Sequence, residues 1–210
     1  MPESDAEQKG LIFTAARCTI GCMGIQPIHS NQPEGRTIGQ RIRDAREEDR
    51  EAIQRVTLAA FQEYATIMHA HWEGYRRGIL NTLSDVKPAE QIVAEQGGAV
   101  VGAVLLYPPG TVLSRPDGSS VRIEQPEARL LAVVPAARGR GIGEALLREC
   151  IRRARRSGAA ALTLHTSDFM RVGRHMYERM GFVRAPELDF HPSKDLTVMG
   201  YRLRLGNSGP

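Results

Sequence analysis

Six consecutive residues, Arg138, Gly139, Arg140, Gly141, Ile142 and Gly143, set two guanidinium groups among three glycines. Glycine leaves the backbone N–H groups uncovered, and a Cβ there would hold an anion away from the chain. Where such a turn opens a helix, the first N–H groups have no internal acceptor. They suit a phosphate or pyrophosphate, and arginine adds charge-assisted hydrogen bonds. Two familiar phosphate loops do not fit. A Walker loop needs Lys and then Ser or Thr after its last glycine, but Glu144 and Ala145 follow Gly143. A Gly-x-Gly-x-x-Gly count from Gly139 ends on Glu144, and from Gly141 it ends on Leu146. The pattern present is Arg-x-x-Gly-x-Gly.

The flanking residues assign the elements that must hold this turn. An apolar run over residues 130–134 ends at Pro135 and reads as a strand buried on both faces. Ile142, Leu146, Leu147, Cys150, Ile151 and Ala154 then recur at spacings of three and four, a helix that Gly158 caps. Upstream, RIRDA after Gln40 reads as an edge strand, residues 47–64 as a helix and residues 66–83 as a second one. Residues 91–95 and 99–107 form a hairpin about Gln96, Gly97 and Gly98, with a bulge at Gly102. Pro108, Pro109 and Gly110 stop it, and Arg115-Pro116-Asp117-Gly118 marks a turn before the chain re-enters the sheet towards Glu127. Downstream, residues 161–166 form a strand. Ser167 or Asp168 caps a helix to about Met180, which Gly181 ends, and two last strands at 183–184 and 197–205 flank the loop PELDFHPSKD. The order gives an α/β fold, a mixed and partly antiparallel sheet with helices on both faces and a right-handed crossover after Ala128.

The chain has 210 residues, 41% hydrophobic and 25% charged, which suits one well-filled core. That core is expected over residues 38–206, with 1–37 a mobile tail and 207–210 a short C-terminal one. A net charge of +4 favours an anionic co-substrate without calling for nucleic acid. Arg148, Arg152, Arg153, Arg155 and Arg156 read as a solvated helix face, since no aromatic residues are interleaved for base stacking. Three cysteines, at 18, 22 and 150, argue against a disulfide framework and for the cytoplasm. Cys18, Cys22 and His29 lack a fourth ligand, and His69 and His71 point apart on a helix, so no metal is expected. No run of residues is long and apolar enough for a membrane helix.

A second motif, MYERMGF at residues 176–182, stands beside the glycine loop. Together they resemble the acyl-coenzyme A loop and the Tyr-x-x-x-Gly-Phe segment of the GNAT superfamily of N-acetyltransferases, and the resemblance covers about residues 40–205. It implies that acetyl-CoA is the co-substrate, and that backbone groups of Leu131, Ala132 and Val133 pair with its pantetheine arm as an added strand would. It also implies that residues 138–143 hold the pyrophosphate and that the Tyr177 hydroxyl faces the sulfur as general acid. Many relatives place an asparagine after the strand at 161–166, where this chain has Ser167 and Asp168.

The implied reaction is direct acetyl transfer to an amine. A lysine-like amine, pKa about 10.4, is neutral at pH 7 in roughly one molecule in a few thousand, so a base must take its proton. Glu127 matches the position where relatives carry an acidic residue, and His165, Asp168 and Asp189 are further candidates. The Val133 N–H is placed by analogy as oxyanion donor. Cys150, amid a helix, is a poor candidate for an acetyl-cysteine intermediate. Trp72, Glu73 and Tyr75 fit either an acceptor pocket or helix packing. The acceptor itself, a small molecule or a peptide, is not legible, and a homodimer stays open. The alternative from a different class is a coenzyme A-binding regulatory module of the same fold without turnover.

Overall fold

In the computed structural model, which describes residues 39–114, 119–194 and 196–206, the chain runs β1 (Gln40–Asp44), α1 (Arg50–Phe61), α2 (Ala65–Met68), α3 (Trp72–Ser84), β2 (Glu90–Gln96) and β3 (Ala99–Tyr107). It continues through β4 (Val112–Ser114), β5 (Ser120–Arg122), β6 (Glu127–Val133), α4 (Ile142–Arg156), β7 (Ala161–Ser167), α5 (Arg171–Arg179), β8 (Val183–Arg184), β9 (Phe190–Ser193) and β10 (Leu196–Arg204). The expected tails, Cys18, Cys22, His29 and the turn at 115–118 lie outside the described residues.

The main sheet has the order β1-β2-β3-β6-β7-β10-β8, with β9 on β10. Every neighbouring pair is antiparallel except β6 and β7, which are parallel and joined through α4. The segment expected to re-enter this sheet does not do so: β4 and β5 make a two-stranded ribbon of their own. The loop expected at 186–195 contains β9.

Apolar periodicity explains the packing. Ile142, Leu146, Leu147, Cys150, Ile151 and Ala154 of α4 are all buried against one face of the sheet. Val56, Ala60, Phe61, Trp72 and Ile79 of α1 and α3 cover the other. At Gly102 the helix comes close, because a Cβ there would lie 3.0 Å from Leu146 Cδ1 and 3.1 Å from Ile142 Cγ2. The bulge expected at Gly102 is present, since pairing slips between Ala94↔Gly102 and Glu95↔Val100. Gly158, at φ +73°, ends α4 as read. Ala159 N–H donates to the Ala154 carbonyl and Gly158 N–H to that of Arg155, the paired bonds of a Schellman cap. Arg153 departs from the solvated-face expectation. It pairs with Glu149, Asp44 and Glu90 and ties α4 to β1 and β2.

Two helices differ from the reading. The single helix expected over 66–83 is broken by a 3-10 turn at His69–His71, where His69 takes φ 41°. Met68, Trp72 and Ile79 stay buried across the break, so the apolar period runs through it without a mark. Helix α5 starts at Arg171, and neither Ser167 nor Asp168 caps it. Instead the Asp168 carboxylate accepts from the Phe169 N–H and the Ser167 carbonyl from the Met170 N–H, which builds a turn ahead of the helix. Among the described residues no helix is long and apolar enough to cross a membrane.

Candidate active site

The site begins with a fault in one strand. Pairing between β3 and β6 slips between Ala103↔Ala132 and Leu105↔Arg129, so Leu130 and Leu131 together face Val104, and Leu130 takes φ 50°. This bulge kinks β6. Its parallel pairing with β7 is confined to Glu127↔Thr163 and Ala128↔Leu164, and beyond Ala128 the strands part. A cavity of about 1400 Å³ runs through the gap, from the glycine loop to the β4–β5 ribbon.

Backbone groups on the parted edge of β6 are left without a strand partner. Val134 N–H donates to the Val101 carbonyl of β3 at 3.0 Å. Strand alternation then turns Ala132 towards β3 as well and points the N–H and C=O of Leu131 and Val133 into the gap. Leu131 and Val133 line the cavity and Ala132 does not, so only two of the three residues named for pantetheine pairing face it.

At the glycine loop, Gly139 and Gly141 take φ +74° and +75°, and a Cβ at either would meet nothing within 4 Å. Gly141 is the N-cap of α4 without a side-chain cap. The helix ladder starts with Ala145 N–H to the Gly141 carbonyl, which leaves the N–H groups of Ile142, Gly143 and Glu144 without an acceptor in the helix. The space and the uncapped donors fit a pyrophosphate. Arg138 does not present a free guanidinium there. It donates to Glu63 at 2.6 Å, the Ala60 carbonyl at 2.9 Å and the Val133 carbonyl at 3.3 Å, fastening the end of α1 to the loop. Arg140 is exposed and does not line the cavity.

Tyr177 sits on α5 on the other bank. Its helix ends in a second Schellman cap, with Phe182 N–H donating to the Tyr177 carbonyl, Gly181 N–H to that of Glu178, and Gly181 at φ +89°. The Gly-Phe pair thus closes the helix, and Phe182, buried, holds the Tyr177 ring at a centroid distance of 6.1 Å. The hydroxyl lies over Gly173, where a Cβ would come within 3.5 Å. It has no hydrogen-bond partner among the described residues and opens to the cavity. Burial raises its pKa above that of an ordinary phenol, with a smaller contribution from Tyr64, so it is protonated at neutral pH.

Glu127 lies at the base of the gap, 4% exposed. Its Oε1 is 3.3 Å from His165 Nδ1 and 3.5 Å from Arg129 Nε. His165 Nε2 is 3.0 Å from the Leu188 carbonyl, which can only accept, so Nε2 carries a proton. The imidazole is braced edge-on by Phe190 at 5.4 Å.

The other base candidates are placed differently. Asp189 holds Arg184 through both oxygens at 2.8 and 2.9 Å and accepts from the Gly200 N–H, and these contacts, Arg184 foremost, hold its pKa below the usual range. It is a brace for the turn that carries Leu188. Asp168 is exposed and outside the cavity, whereas Ser167 lines it. Cys150 is fully buried under α4, with its thiol pushed up to about 12 by burial. Of the aromatic candidates, Tyr75 and Glu73 line the cavity, while Trp72 is 8% exposed in the packing beneath. Arg77, Arg129 and Tyr64 also line it and were not singled out from the sequence. Arg129 sits two residues from Glu127, hence on the same face of β6, which is the signal that could have found it.

A strand parted from its parallel neighbour, an uncapped glycine turn and a tyrosine on the next helix meet at one cavity. The chain belongs to the acetyltransferase (GNAT) family, whose sequence model matches residues 43–182. Among solved structures, it is similar to a GNAT family acetyltransferase from Brucella melitensis in complex with acetyl-CoA, at 26% identity and a TM-score of 0.53 over 82% of this chain and 92% of that one. The ribosomal-protein-S18-alanine N-acetyltransferase from Escherichia coli shares the fold at 17% identity and a TM-score of 0.57, over 81% and 97% of the two chains. The PaiA N-acetyltransferase from Thermoplasma acidophilum in complex with coenzyme A does so at 17% identity and a TM-score of 0.58, over 77% and 98%. No curated protein matches the chain.

Proposed function

We propose that the chain transfers the acetyl group of acetyl-CoA directly to a primary amine. The carrying observation is that one cavity holds a protonated hydroxyl, Tyr177, on one bank of the parted strands and a buried carboxylate, Glu127, at their base. In this reading the pyrophosphate is met by the N–H groups of residues 142–144, and the pantetheine pairs along Leu131 and Val133. The thioester carbonyl lies against the Val133 N–H, which takes up negative charge as the oxyanion forms. Glu127 accepts a proton from the ammonium, His165 passes it on to solvent, and the neutral nitrogen attacks the carbonyl carbon. The C–N bond forms, the nitrogen gives its remaining extra proton to the freed Glu127 carboxylate, the C–S bond breaks, and the sulfur leaves with the proton of Tyr177, which solvent returns.

The test is thiol release from acetyl-CoA with amines present, alongside the melting temperature with acetyl-CoA alone. Release that depends on an amine supports transfer. Thermal stabilisation without release for any amine would assign the chain to the non-catalytic coenzyme A module instead. Gly141→Val, which obstructs the anion and strains a left-handed position, should abolish the stabilisation.

A further inference from the structure

We infer that the acceptor is a free amino acid with a large apolar side chain, an amine with a carboxylate two bonds away. This rests on the transfer to an amine proposed above and concerns the far end of the same cavity. The closest approaches to Glu127, from His165 and from Arg129, are both to Oε1, and no hydrogen bond reaches Oε2 among the described residues. Arg129 comes closest to that carboxylate through Nε, at 3.5 Å, and its guanidinium lies over the Tyr107 ring at 5.8 Å. The ring braces the guanidinium without neutralising it, and the two Nη groups make no hydrogen bond among the described residues. An oxygen that accepts from an ammonium therefore stands beside two donors in the planar arrangement that a carboxylate takes in bidentate fashion. An amino acid matches both halves at once. A polyamine would meet one carboxylate hemmed in by an arginine, and a peptide N-terminus has no carboxylate at that distance.

The same end also offers apolar surface to a side chain. Helix α3 turns Gly74 and Gly78 to the cavity one turn apart, and a Cβ at either would meet nothing within 4 Å. Packing therefore does not demand glycine there, and glycine is poor in a helix interior. The bare wall leaves room in the cavity beside Tyr75, Leu113 and Val121, with Arg77, Asn81 and Thr82 of α3 at its polar margin.

The experiment measures thiol release from acetyl-CoA with L-phenylalanine, L-leucine, 2-phenylethylamine, spermidine and a peptide with a free N-terminus. The kcat/KM for phenylalanine should exceed that for 2-phenylethylamine, which lacks only the carboxylate, at least tenfold. Arg129→Gln should reduce that ratio to under threefold, and Arg129→Lys, with the charge but not the paired donors, to an intermediate value. Gly78→Leu should raise KM for phenylalanine at least tenfold while the Kd for acetyl-CoA stays within twofold. Equal or better turnover of 2-phenylethylamine, spermidine or the peptide would overturn the inference, as would a ratio untouched by Arg129→Gln. If no amine gives release, the amine-transfer reading fails, and the pocket is read by melting temperature with coenzyme A present. A larger rise with phenylalanine than with 2-phenylethylamine then supports the acceptor assignment, and equal rises overturn it.

Discussion

Three side chains carry the proposed chemistry, and each owes its competence to neighbours. Tyr177 lies with its hydroxyl over Gly173 and without a hydrogen-bond partner among the described residues, so Tyr177→Phe removes one oxygen and keeps the packing on Phe182. We expect kcat to fall at least roughly tenfold, with the Kd for acetyl-CoA and the melting temperature little changed. A kcat within about twofold of the parent, measured where chemistry limits turnover, would make Tyr177 a packing residue. Glu127→Gln keeps the shape but cannot accept a proton from the amine, and kcat/KM should fall about 10²-fold or more. If the loss is much smaller at neutral pH yet His165→Asn is severely impaired, the imidazole takes the proton itself.

Among the elements, the 3-10 turn Pro186–Leu188 links strand packing to the base. The Leu188 carbonyl fixes the His165 ring, and the turn rests on Gly200 of β10, where a Cβ would sit 2.3 Å from Leu188 Cβ and 2.9 Å from the Ala185 carbonyl. Gly200→Ala must therefore push the turn away. It should cost about 1–3 kcal/mol of stability, as overpacking does. It should also lower kcat without weakening acetyl-CoA binding. An unchanged kcat in a destabilised variant would detach this turn from the chemistry. On the opposite face, Glu149 of α4 holds Arg152 and Arg153, and Arg153 reaches β1 and β2. The bond from Arg152 foremost, then that from Arg153, lowers the Glu149 pKa to about 2 against the cost of burial. A carboxylate whose folded pKa lies below its unfolded one stabilises the fold above the unfolded value, and that contribution fades as pH falls towards the folded one. The stability gap between the parent and Glu149→Gln should thus be constant above about pH 5 and shrink towards pH 2. Urea titrations across that range that show a constant gap would remove the network from the account.

At the scale of the molecule, the family match begins at residue 43 and the described fold at residue 39. The sequence of residues 1–37 has no sustained apolar period. We propose that they lie outside the catalytic domain, so their deletion should leave the melting temperature and thiol release close to those of the full chain. Aggregation or loss of activity in the truncated protein would place them inside it.

The amino-acid order alone determined the elements on either side of the glycine loop, both glycine helix ends and the α/β class, because these depend on local periodicity and on positions that only glycine occupies at low cost. It also pointed to Arg138–Gly143 and Tyr177, whose spacing is a property of one helix turn or one loop. Tertiary structure decided the rest. Leu130 and His69 take left-handed backbone angles that their residue types do not announce, and the first of these parts β6 from β7 and makes the cleft. Pairing across the sheet chose His165 over Asp189 and Asp168 as the neighbour of Glu127, since which carboxylate meets an imidazole or an arginine depends on strand register. Arg138 was legible as a loop arginine. Its engagement with Glu63 and the Ala60 carbonyl, 75 and 78 residues away in the chain, was not, because only the packing of α1 beside the loop brings those acceptors within reach.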